Sequence, residues 1–191
     1  MIIIYYNQHY PYSKNSMPYY FDRYPTNPRY RYPSYSHAAE YNSNDMEYEM
    51  KDYGPDPFVI NIDEAAKANN NFRTTLWTGD HLQLTLMSIP VGGEIGLERH
   101  PELDQFIRIE EGEGIVRMGN RQDDLKFQEK VYDDFSFIIP AGTWHNLMNT
   151  GSIPIKLYSI YAPPQHPHGT VHRTKEEAES AGHSHSTRRN H

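Results

Sequence analysis

The stretch GGEIGLERHPELDQFIRIEEGEG, residues 92–114, contains a single histidine within strand-like sequence. Glu98 stands two positions before His100, and Gln105 stands five positions after it. Alternate residues of a β-strand project to the same face, so Glu98 and His100 are expected to point together. Gln105 shares its face with the isoleucines at the next two alternate positions, which suits a polar side chain at the open end of an apolar interior. These residues leave two alternatives, a metal site with unusual ligands or the remains of a site that no longer binds anything.

The residues around this stretch, 58–162, form a series of short strand-like segments. The predicted strands are FVINI, FRTTLWT, LQLTLMSI, EIGLERH, QFIRIEE, GIVRMG, KFQEKV, FSFIIP, WHNLMN and IKLYSIYAP. Gly, Pro, Asn and Asp separate them at fairly even spacing. A short helix, DEAAKANN, is predicted after the first strand, with Asp63 as its N-cap. Many short strands with almost no helix indicate an all-β antiparallel sandwich or barrel.

The composition excludes several classes of protein. The formal net charge of −7 and the pI of about 5.8 argue against a nucleic-acid-binding surface. The chain has no cysteine, which excludes disulfides, thiolate metal sites and cysteine nucleophiles. It has no run of about 18 apolar residues, so no membrane span is predicted. The first residues lack the basic and apolar regions of a secretory signal. Neither nucleic acid nor membrane is therefore expected as a partner.

Residues 1–53 are expected to form an extension distinct from the strands. They contain 13 of the 16 tyrosines, together with several prolines, and no period of 2 or 3.6 lasts through them. Proline interrupts helices and central strands, so disorder is the default interpretation. One alternative is an assembly arm whose tyrosines stack and can be joined oxidatively. Contact with RNA is a weaker alternative, because the charges of the segment nearly cancel.

The chain after the strands is predicted to leave the domain through a Pro-rich loop and to end in a polar tail. The strand-rich domain is assigned to residues 54–173, and a short helix with a histidine-containing tail to residues 174–191. Thr174 is the expected N-cap of that helix. A proline and a glycine give the segment QHPHGTVH a defined shape. The segment could therefore fold back over a barrel mouth and bring His166 or His168 there.

Two motifs of the chain resemble those of the cupin superfamily. The first family motif runs Gly, five residues, His-x-His, three or four residues, Glu, six residues, Gly. The opening stretch keeps this spacing, with Gly92, Glu98, His100, Gln105 and Gly112 at the corresponding positions. Glu98 and Gln105 depart from the residue types of the family.

The second family motif runs Gly, five residues, Pro-x-Gly, two residues, His, three residues, Asn. The segment DFSFIIPAGTWHNLMN matches it at Pro140, Gly142, His145 and Asn149, with Asp134 in place of the first Gly. Two motifs in order within an all-β pattern are a strong indication of fold. The chain thus resembles a small single-domain cupin, similar to the mannose-6-phosphate isomerase-like group. The resemblance implies a double-stranded β-helix, also called a jelly-roll barrel.

The resemblance also implies a divalent metal in the barrel mouth. Carried over by position, its ligands are Glu98, His100, Gln105 and His145. Asp104 would replace Gln105 only if the preceding loop were one residue shorter, and the spacing to the last glycine of the motif favours Gln105. Two histidines, one carboxylate and one amide oxygen keep the single negative charge of the family's ligand set. Iron, manganese, nickel or zinc would suit these donors. The alternative is a pocket that binds a small polar molecule without metal.

The fold hosts enzymes, regulators and storage proteins, so function must be argued from the site. The leading hypothesis is a metal-dependent enzyme that acts on a sugar, a sugar phosphate or a related hydroxy or keto compound. An isomerase is preferred, with an iron dioxygenase as a close alternative. Glu98 would be a ligand or the catalytic base, and Glu94, assigned to the same strand face, is a second candidate base.

A non-catalytic function is the second hypothesis. In it, a binding or structural cupin is recruited to a spore coat or surface layer of a bacterium by its Tyr-rich residues 1–53. The enzyme hypothesis predicts a cytoplasmic location instead. The resemblance further implies a homodimer, because cupins commonly dimerise through strands near the barrel edge.

Overall fold

Ten β-strands and two helices make up the part of the chain that the structure describes, residues 49–186, with side chains described as far as residue 181. The structure is a computed structural model. The strands are β1 (Arg73–Thr78), β2 (Gln83–Ile89), β3 (Glu98–Arg99), β4 (Asp104–Glu111), β5 (Glu113–Gly119), β6 (Phe127–Tyr132), β7 (Ser136–Ile139), β8 (Trp144–Asn149), β9 (Ile155–Ala162) and β10 (Val171–His172). The helices are α1 (Ile62–Ala68) and α2 (Lys175–Ser186). The predicted all-β class is confirmed.

The strands form two antiparallel sheets that enclose one apolar core. The larger sheet has the order β10-β1-β2-β9-β4-β7, and the smaller has the order β3-β8-β5-β6. Successive strands such as β3 and β4 lie in different sheets, as in a jelly roll. Buried side chains from both sheets meet between them, among them Ile107 and Leu157 of the larger sheet and Val116 and Leu147 of the smaller one. The predicted jelly-roll barrel is therefore confirmed.

The inner face of the larger sheet changes from apolar to polar along its strands. Leu157 of β9 lies opposite Ile109 of β4, and both are fully buried in the core. Four residues farther along the same strands, Tyr161 lies opposite Gln105 on one side and Gln83 of β2 on the other. Directly paired residues project to the same face, so this polar row also faces the interior. One end of the barrel thus has a polar lining.

The turns that carry the two motifs have left-handed backbone conformations. Gly112 has a φ of 91°, and a Cβ there would lie 2.9 Å from the carbonyl oxygen of Pro154. Asp134, which stands where the second motif has glycine, has a φ of 69°. Short polar residues such as Asp tolerate this conformation better than other non-glycine residues do. Asp134 therefore keeps the backbone conformation of the residue that it replaces.

The segment FVINI, predicted as the first strand, is not a strand. Its last residue begins α1, and Phe58 and Ile60 pack beside Leu76 and Leu86 on the outer face of the larger sheet. An apolar run that covers an outer face has the composition of a strand but lacks a paired neighbour. Composition alone does not distinguish the two cases.

Helix α1 is capped by Asn61 and not by Asp63 as predicted. The Oδ1 atom of Asn61 accepts a hydrogen bond from the backbone N–H of Glu64 at 3.4 Å. Asp63 lies in the first turn, where a negative charge is favourable near the helix N-terminus, and its carboxylate lies 2.6 Å from the Lys67 ammonium.

The predicted strand EIGLERH is interrupted. Only β3 and an isolated bridge between Glu94 and Met148 are formed. Gly96 lies between these two parts with a φ of 102°, which no regular strand has. Glu94 and Glu98 therefore do not share one strand face, and the prediction that they do is wrong.

The C-terminal helix begins as predicted and extends farther. The Thr174 hydroxyl accepts a hydrogen bond from the backbone N–H of Glu177 at 3.4 Å, and α2 continues to Ser186, into the segment predicted as the polar tail. Strand β10, which was not predicted, pairs with the start of β1.

The N-terminal extension lies largely outside the described residues, since the description begins at residue 49. Its last residues contact the barrel: Tyr53 donates its backbone N–H to the Leu76 carbonyl oxygen at 2.9 Å, and its ring stacks on Phe58. Among the described residues, no helix has both the length and the apolar content needed to cross a membrane.

Candidate metal centre

Three of the four predicted ligands meet inside the polar end of the barrel. Glu98 of β3 lies directly opposite His145 of β8, and His100 follows β3 immediately. The Glu98 Oε1 atom is 3.4 Å from the Nε2 atom of His100 and 3.4 Å from the Nε2 atom of His145. One ligand atom from each residue lies within 4.8 Å of those of the other two. Two imidazoles and a carboxylate at this spacing could hold a divalent cation.

A hydrogen bond fixes the orientation of the His145 ring. Its Nδ1 atom lies 2.9 Å from the Thr143 carbonyl oxygen, which can only accept, so Nδ1 carries the proton and donates it. In the neutral ring the Nε2 atom then has a free lone pair directed toward Glu98. Backbone carbonyls commonly orient metal-binding histidines in this manner.

The predicted ligand atoms share one property: each is buried and lacks a hydrogen-bond partner of normal geometry. These atoms are Glu98 Oε1, His100 Nε2, Gln105 Oε1 and His145 Nε2. A buried polar atom without a partner costs about 1–3 kcal/mol, so native structures contain few of them. Four such atoms lie together at one end of the barrel, and each can offer a lone pair. This arrangement fits the coordination of a cation.

Gln105 lies beside the three-residue cluster and is 1% exposed. Its Nε2 atom donates to the Ser159 hydroxyl at 2.9 Å, which leaves the lone pairs of Oε1 free. Its direct neighbour on β9 is Tyr161, whose ring stands edge-on to His100 with 5.7 Å between centroids. Asp104, the alternative to Gln105, is exposed and accepts a hydrogen bond from the Ala141 backbone N–H. The structure thus brings Gln105, and not Asp104, to the cluster.

The Glu98 carboxyl is held in its charged form. Burial tends to raise its pKa, but the two imidazoles and the positive charge of Arg73 outweigh burial and hold the pKa far below its ordinary range. A carboxylate between two histidines is better suited to bind a cation than to take up a proton.

The loop after β9 covers the polar end of the barrel. We call residues 163–170 the mouth loop. Gln83 holds it at two points, because its Nε2 donates to the His166 carbonyl oxygen at 2.8 Å and its Oε1 accepts from the His166 N–H at 2.9 Å. The His166 ring stands edge-on to Tyr161 at 5.2 Å, and its buried Nε2 has no partner. Burial, followed by the charge of Arg73, lowers the pKa of His166 to about 3.

His168, the other candidate of this loop, lies outside the barrel interior. Its Nε2 atom is 3.1 Å from the Gly54 carbonyl oxygen and 3.4 Å from the Asp52 carboxylate. The predicted return of the loop over the mouth therefore brings His166, and not His168, toward the site.

Glu94 is not brought to the cluster. Its carboxylate accepts from the Asn146 Nδ2 atom at 2.7 Å and lies 3.0 Å from the Lys175 ammonium. Asn146 follows His145 on β8 and so projects to the opposite face of that strand. Glu94 therefore lies on the outer face of the smaller sheet, where it joins β8 to α2.

Sequence reasoning did not find Arg73 and Tyr161. Arg73 is buried on β1, and its charge influences the pKa values of Glu98, Tyr161 and His166. Tyr161 is 1% exposed and touches both His100 and His166. No motif marks either residue. The sequence signal that could have indicated them is their position in strands whose inward-facing residues are otherwise mostly apolar.

The chain matches known proteins over the barrel. The family described as "Cupin domain" matches residues 85–161. The uncharacterized protein YrkC of Bacillus subtilis is 64% identical over 132 residues, which is 69% of this chain and 71% of that protein. The uncharacterized protein L612 of Acanthamoeba polyphaga mimivirus is 35% identical over 126 residues, or 65% of this chain and 77% of that protein.

A solved structure supports the same assignment. The crystal structure of BH2720 from Bacillus halodurans is 67% identical in sequence, with a TM-score of 0.68. The match covers 68% of this chain and 98% of that one. The two motifs, the jelly-roll topology and these matches together establish that the chain belongs to the cupin family.

Proposed function

We propose that this protein is a metal-dependent cupin that acts on a small compound with hydroxyl or carbonyl oxygens. In this proposal Glu98, His100, Gln105 and His145 hold one divalent cation. The observation that carries the proposal is the group of four buried ligand atoms without normal hydrogen-bond partners. Structural polar clusters in barrels satisfy such atoms among themselves, whereas a metal site leaves its lone pairs free for the ion.

The donor types limit the metal. Two imidazoles with carboxylate and amide oxygens favour iron, manganese, nickel or zinc, and the chain offers no thiolate for softer ions. A divalent ion at this site would act as a Lewis acid on an oxygen of the bound compound. We assign Glu98 to coordination and not to proton transfer, because its Oε1 atom lies 3.4 Å from the Nε2 atoms of both His100 and His145, at the centre of the candidate ligand set.

Residues of the mouth supply the contacts with the compound. The His166 Nε2 atom has no partner, and the imidazole is neutral at pH 7, so it can accept a hydrogen bond. The Tyr161 hydroxyl is kept protonated, since burial raises its pKa, and can donate a hydrogen bond. A sugar or sugar phosphate as substrate, an isomerase reaction and an iron dioxygenase reaction stay predictions from the family resemblance.

Elemental analysis of the purified protein tests the proposal. We expect about one equivalent of a transition metal in the wild type, and less than about a tenth in His145→Ala and Glu98→Gln. Glu98→Gln keeps the shape of the side chain, so it separates loss of the ligand charge from loss of packing. The thermal midpoint of the wild type should fall on treatment with a chelator, because a ligand that binds the folded state stabilises it.

His168→Ala is the matched control, since it removes an imidazole outside the cluster and should leave the metal content unchanged. A wild type without metal, whose thermal midpoint also fails to respond to added iron, manganese, nickel or zinc, contradicts the proposal. A pocket that binds small polar molecules without metal would then be the better assignment.

A further inference from the structure

Among the arginines that the structure describes, Arg73 alone is buried in the barrel, and it has no anionic partner at contact distance. Arg73 is 6% exposed, and its Nε atom has no hydrogen-bond partner. Within residues 49–181, whose side chains are described, no carboxylate lies within 4.0 Å of its guanidinium. A buried charge is costly unless it is paired, so this arginine requires an explanation.

The Arg73 side chain faces the polar interior of the barrel around Glu98, His100 and His145, which we call the chamber. Thr74, the next residue of β1, lies opposite Leu86, which packs on the outer face of the sheet, so Arg73 projects to the inner face. In the register of the sheet Arg73 lies opposite His172, whose Nδ1 is also buried without a partner. The charge of Arg73 helps to lower the pKa of Glu98 and opposes the rise that burial causes in the pKa of Tyr161. The guanidinium is therefore an electrostatic neighbour of the site.

A purely structural interpretation is that Arg73 serves as a distant counter-charge for Glu98. Without a metal, one positive and one negative charge in the chamber would balance. With a divalent cation on Glu98, that carboxylate is already more than neutralised, and the positive charge of Arg73 is left over. Two neutral histidines, His166 of the mouth loop and His172 of β10 opposite Arg73, add donors and acceptors but no negative charge. A chamber with surplus positive charge favours an anionic ligand.

We infer that Arg73 is the binding residue for a substrate carboxylate, and that the compound taken up by this chamber is a small 2-hydroxy or 2-oxo acid. The inference rests on the proposed function, which supplies the cation and the hydroxyl or carbonyl oxygen. It adds the class of the substrate and the residue that selects it.

A carboxylate fits better than a phosphate or a neutral sugar. The planar guanidinium presents parallel N–H donors that match the two oxygens of a carboxylate. A phosphate dianion would bring a second negative charge and a third oxygen, which a single planar guanidinium does not match. A neutral sugar would leave the buried guanidinium without a charge partner.

Binding of three small probes tests the inference. Glycolate is the smallest 2-hydroxy acid, glycolamide is its neutral analogue of the same shape, and inorganic phosphate is the competing anion. Titration calorimetry on the wild type should give a dissociation constant for glycolate at least about tenfold lower than for glycolamide, as a charge-assisted bidentate contact implies. Phosphate should bind more weakly than glycolate.

Substitutions of Arg73 assign the selectivity to this residue. Arg73→Gln should weaken glycolate binding by about tenfold and leave glycolamide binding nearly unchanged, and Arg73→Lys should give an intermediate loss because it keeps the charge but not the planar fork. Arg117→Gln is the matched control, since Arg117 is an exposed arginine on β5. Its glycolate affinity should equal that of the wild type.

The metal content of the same samples separates this inference from the proposed function. Metal-containing wild type that binds glycolate no better than glycolamide overturns the carboxylate assignment and leaves the metal site intact. Tighter binding of phosphate than of glycolate, or full glycolate affinity in Arg73→Gln, also overturns it. Glycolate selectivity in wild type that lacks metal contradicts the proposed function alone. If Arg73→Gln does not fold, the carboxylate assignment is tested by the glycolate, glycolamide and phosphate affinities of the wild type and by the glycolate affinity of Arg73→Lys.

Discussion

Gln105 stands where the first cupin motif has glutamate, and Glu98 stands where it has histidine. Together these two residues keep one carboxylate in the cluster but move it from β4 to β3. The amide at Gln105 is anchored by Ser159 through its nitrogen, so only its oxygen faces the chamber. At the scale of single residues, the exchange preserves the charge of the site while altering which strand supplies it.

Gln105→Glu tests whether this side chain takes part in coordination. A second carboxylate in the cluster should tighten binding of a divalent cation at least about tenfold, which corresponds to ~1.4 kcal/mol. The measurement is metal affinity by competition with a chromogenic chelator. Gln128→Glu, on the exposed strand β6, is the control for added surface charge. Equal affinity in both variants would mean that residue 105 is not a ligand.

Asp134 offers a second test at this scale, because its left-handed conformation is costly for most residues. Asp134→Ala and Asp134→Gly both lose the ion pair with Arg108, so their difference isolates the backbone. We expect the glycine variant to be more stable than the alanine variant by about 1 kcal/mol, as the steric cost of this conformation predicts. Urea unfolding of the two proteins measures it. Equal midpoints would contradict the argument.

At the scale of elements, the strands of the barrel core were predictable because their two faces differ. Strands β4 and β9 place apolar side chains inward at alternate positions, Ile107 and Ile109 on β4 and Ile155 and Leu157 on β9, a pattern that the sequence displays directly. The outer segment around Phe58 and Ile60 has no such pattern, and the two residues of β10 are too few to form one. The metal cluster was predictable from the motifs. Arg73 was not predictable, because no motif marks it. Its position depends on the pairing of β1 with strands that are distant in sequence, such as β10 at His172.

The mouth loop gives a prediction at the same scale. The Asp52 carboxylate accepts hydrogen bonds from the Thr78 hydroxyl at 2.6 Å and from the Gly169 N–H at 3.1 Å, and its side chain is 1% exposed. Asp52→Asn replaces one acceptor oxygen with a donor, so we expect a loss of about 1–3 kcal/mol in the free energy of unfolding at pH 7. Asp56→Asn, at an exposed position nearby, is the control.

The pH dependence of that loss has a definite sign. Burial tends to raise the pKa of Asp52, but donors led by the Thr78 hydroxyl outweigh it and hold the pKa below its ordinary value. The stabilisation is therefore complete above the unfolded pKa of about 3.9 and is lost as the pH falls through the folded value. The difference between wild type and Asp52→Asn should shrink in acid. Denaturant titrations at several pH values measure it, and a difference that grows in acid would refute the assignment.

At the scale of the whole molecule, the barrel and the Tyr-rich segment are expected to be separable. The match to BH2720 covers 98% of that chain but 68% of this one, which supports an independently folding barrel. A protein lacking residues 1–48 should keep its metal content, its glycolate binding and, within about 2 °C, its thermal midpoint. Residues 49–53 are retained because Asp52 and Tyr53 contact the barrel.

The same truncation distinguishes the two functional hypotheses. If the protein is an enzyme, the barrel alone retains full activity. If it is a structural cupin of a spore coat or surface layer, the truncated protein folds but is no longer incorporated. Fractionation of cells that express either form, followed by immunodetection, provides that measurement.

The bonds of Asp52 have a mechanical consequence. Asp52 belongs to the covalent segment that leads into residues 1–48, and it is hydrogen-bonded to Gly169 of the loop that closes the chamber. A pull on that segment would load the hydrogen bonds of the Asp52 carboxylate to Thr78 of β1 and to Gly169 of the loop that carries His166.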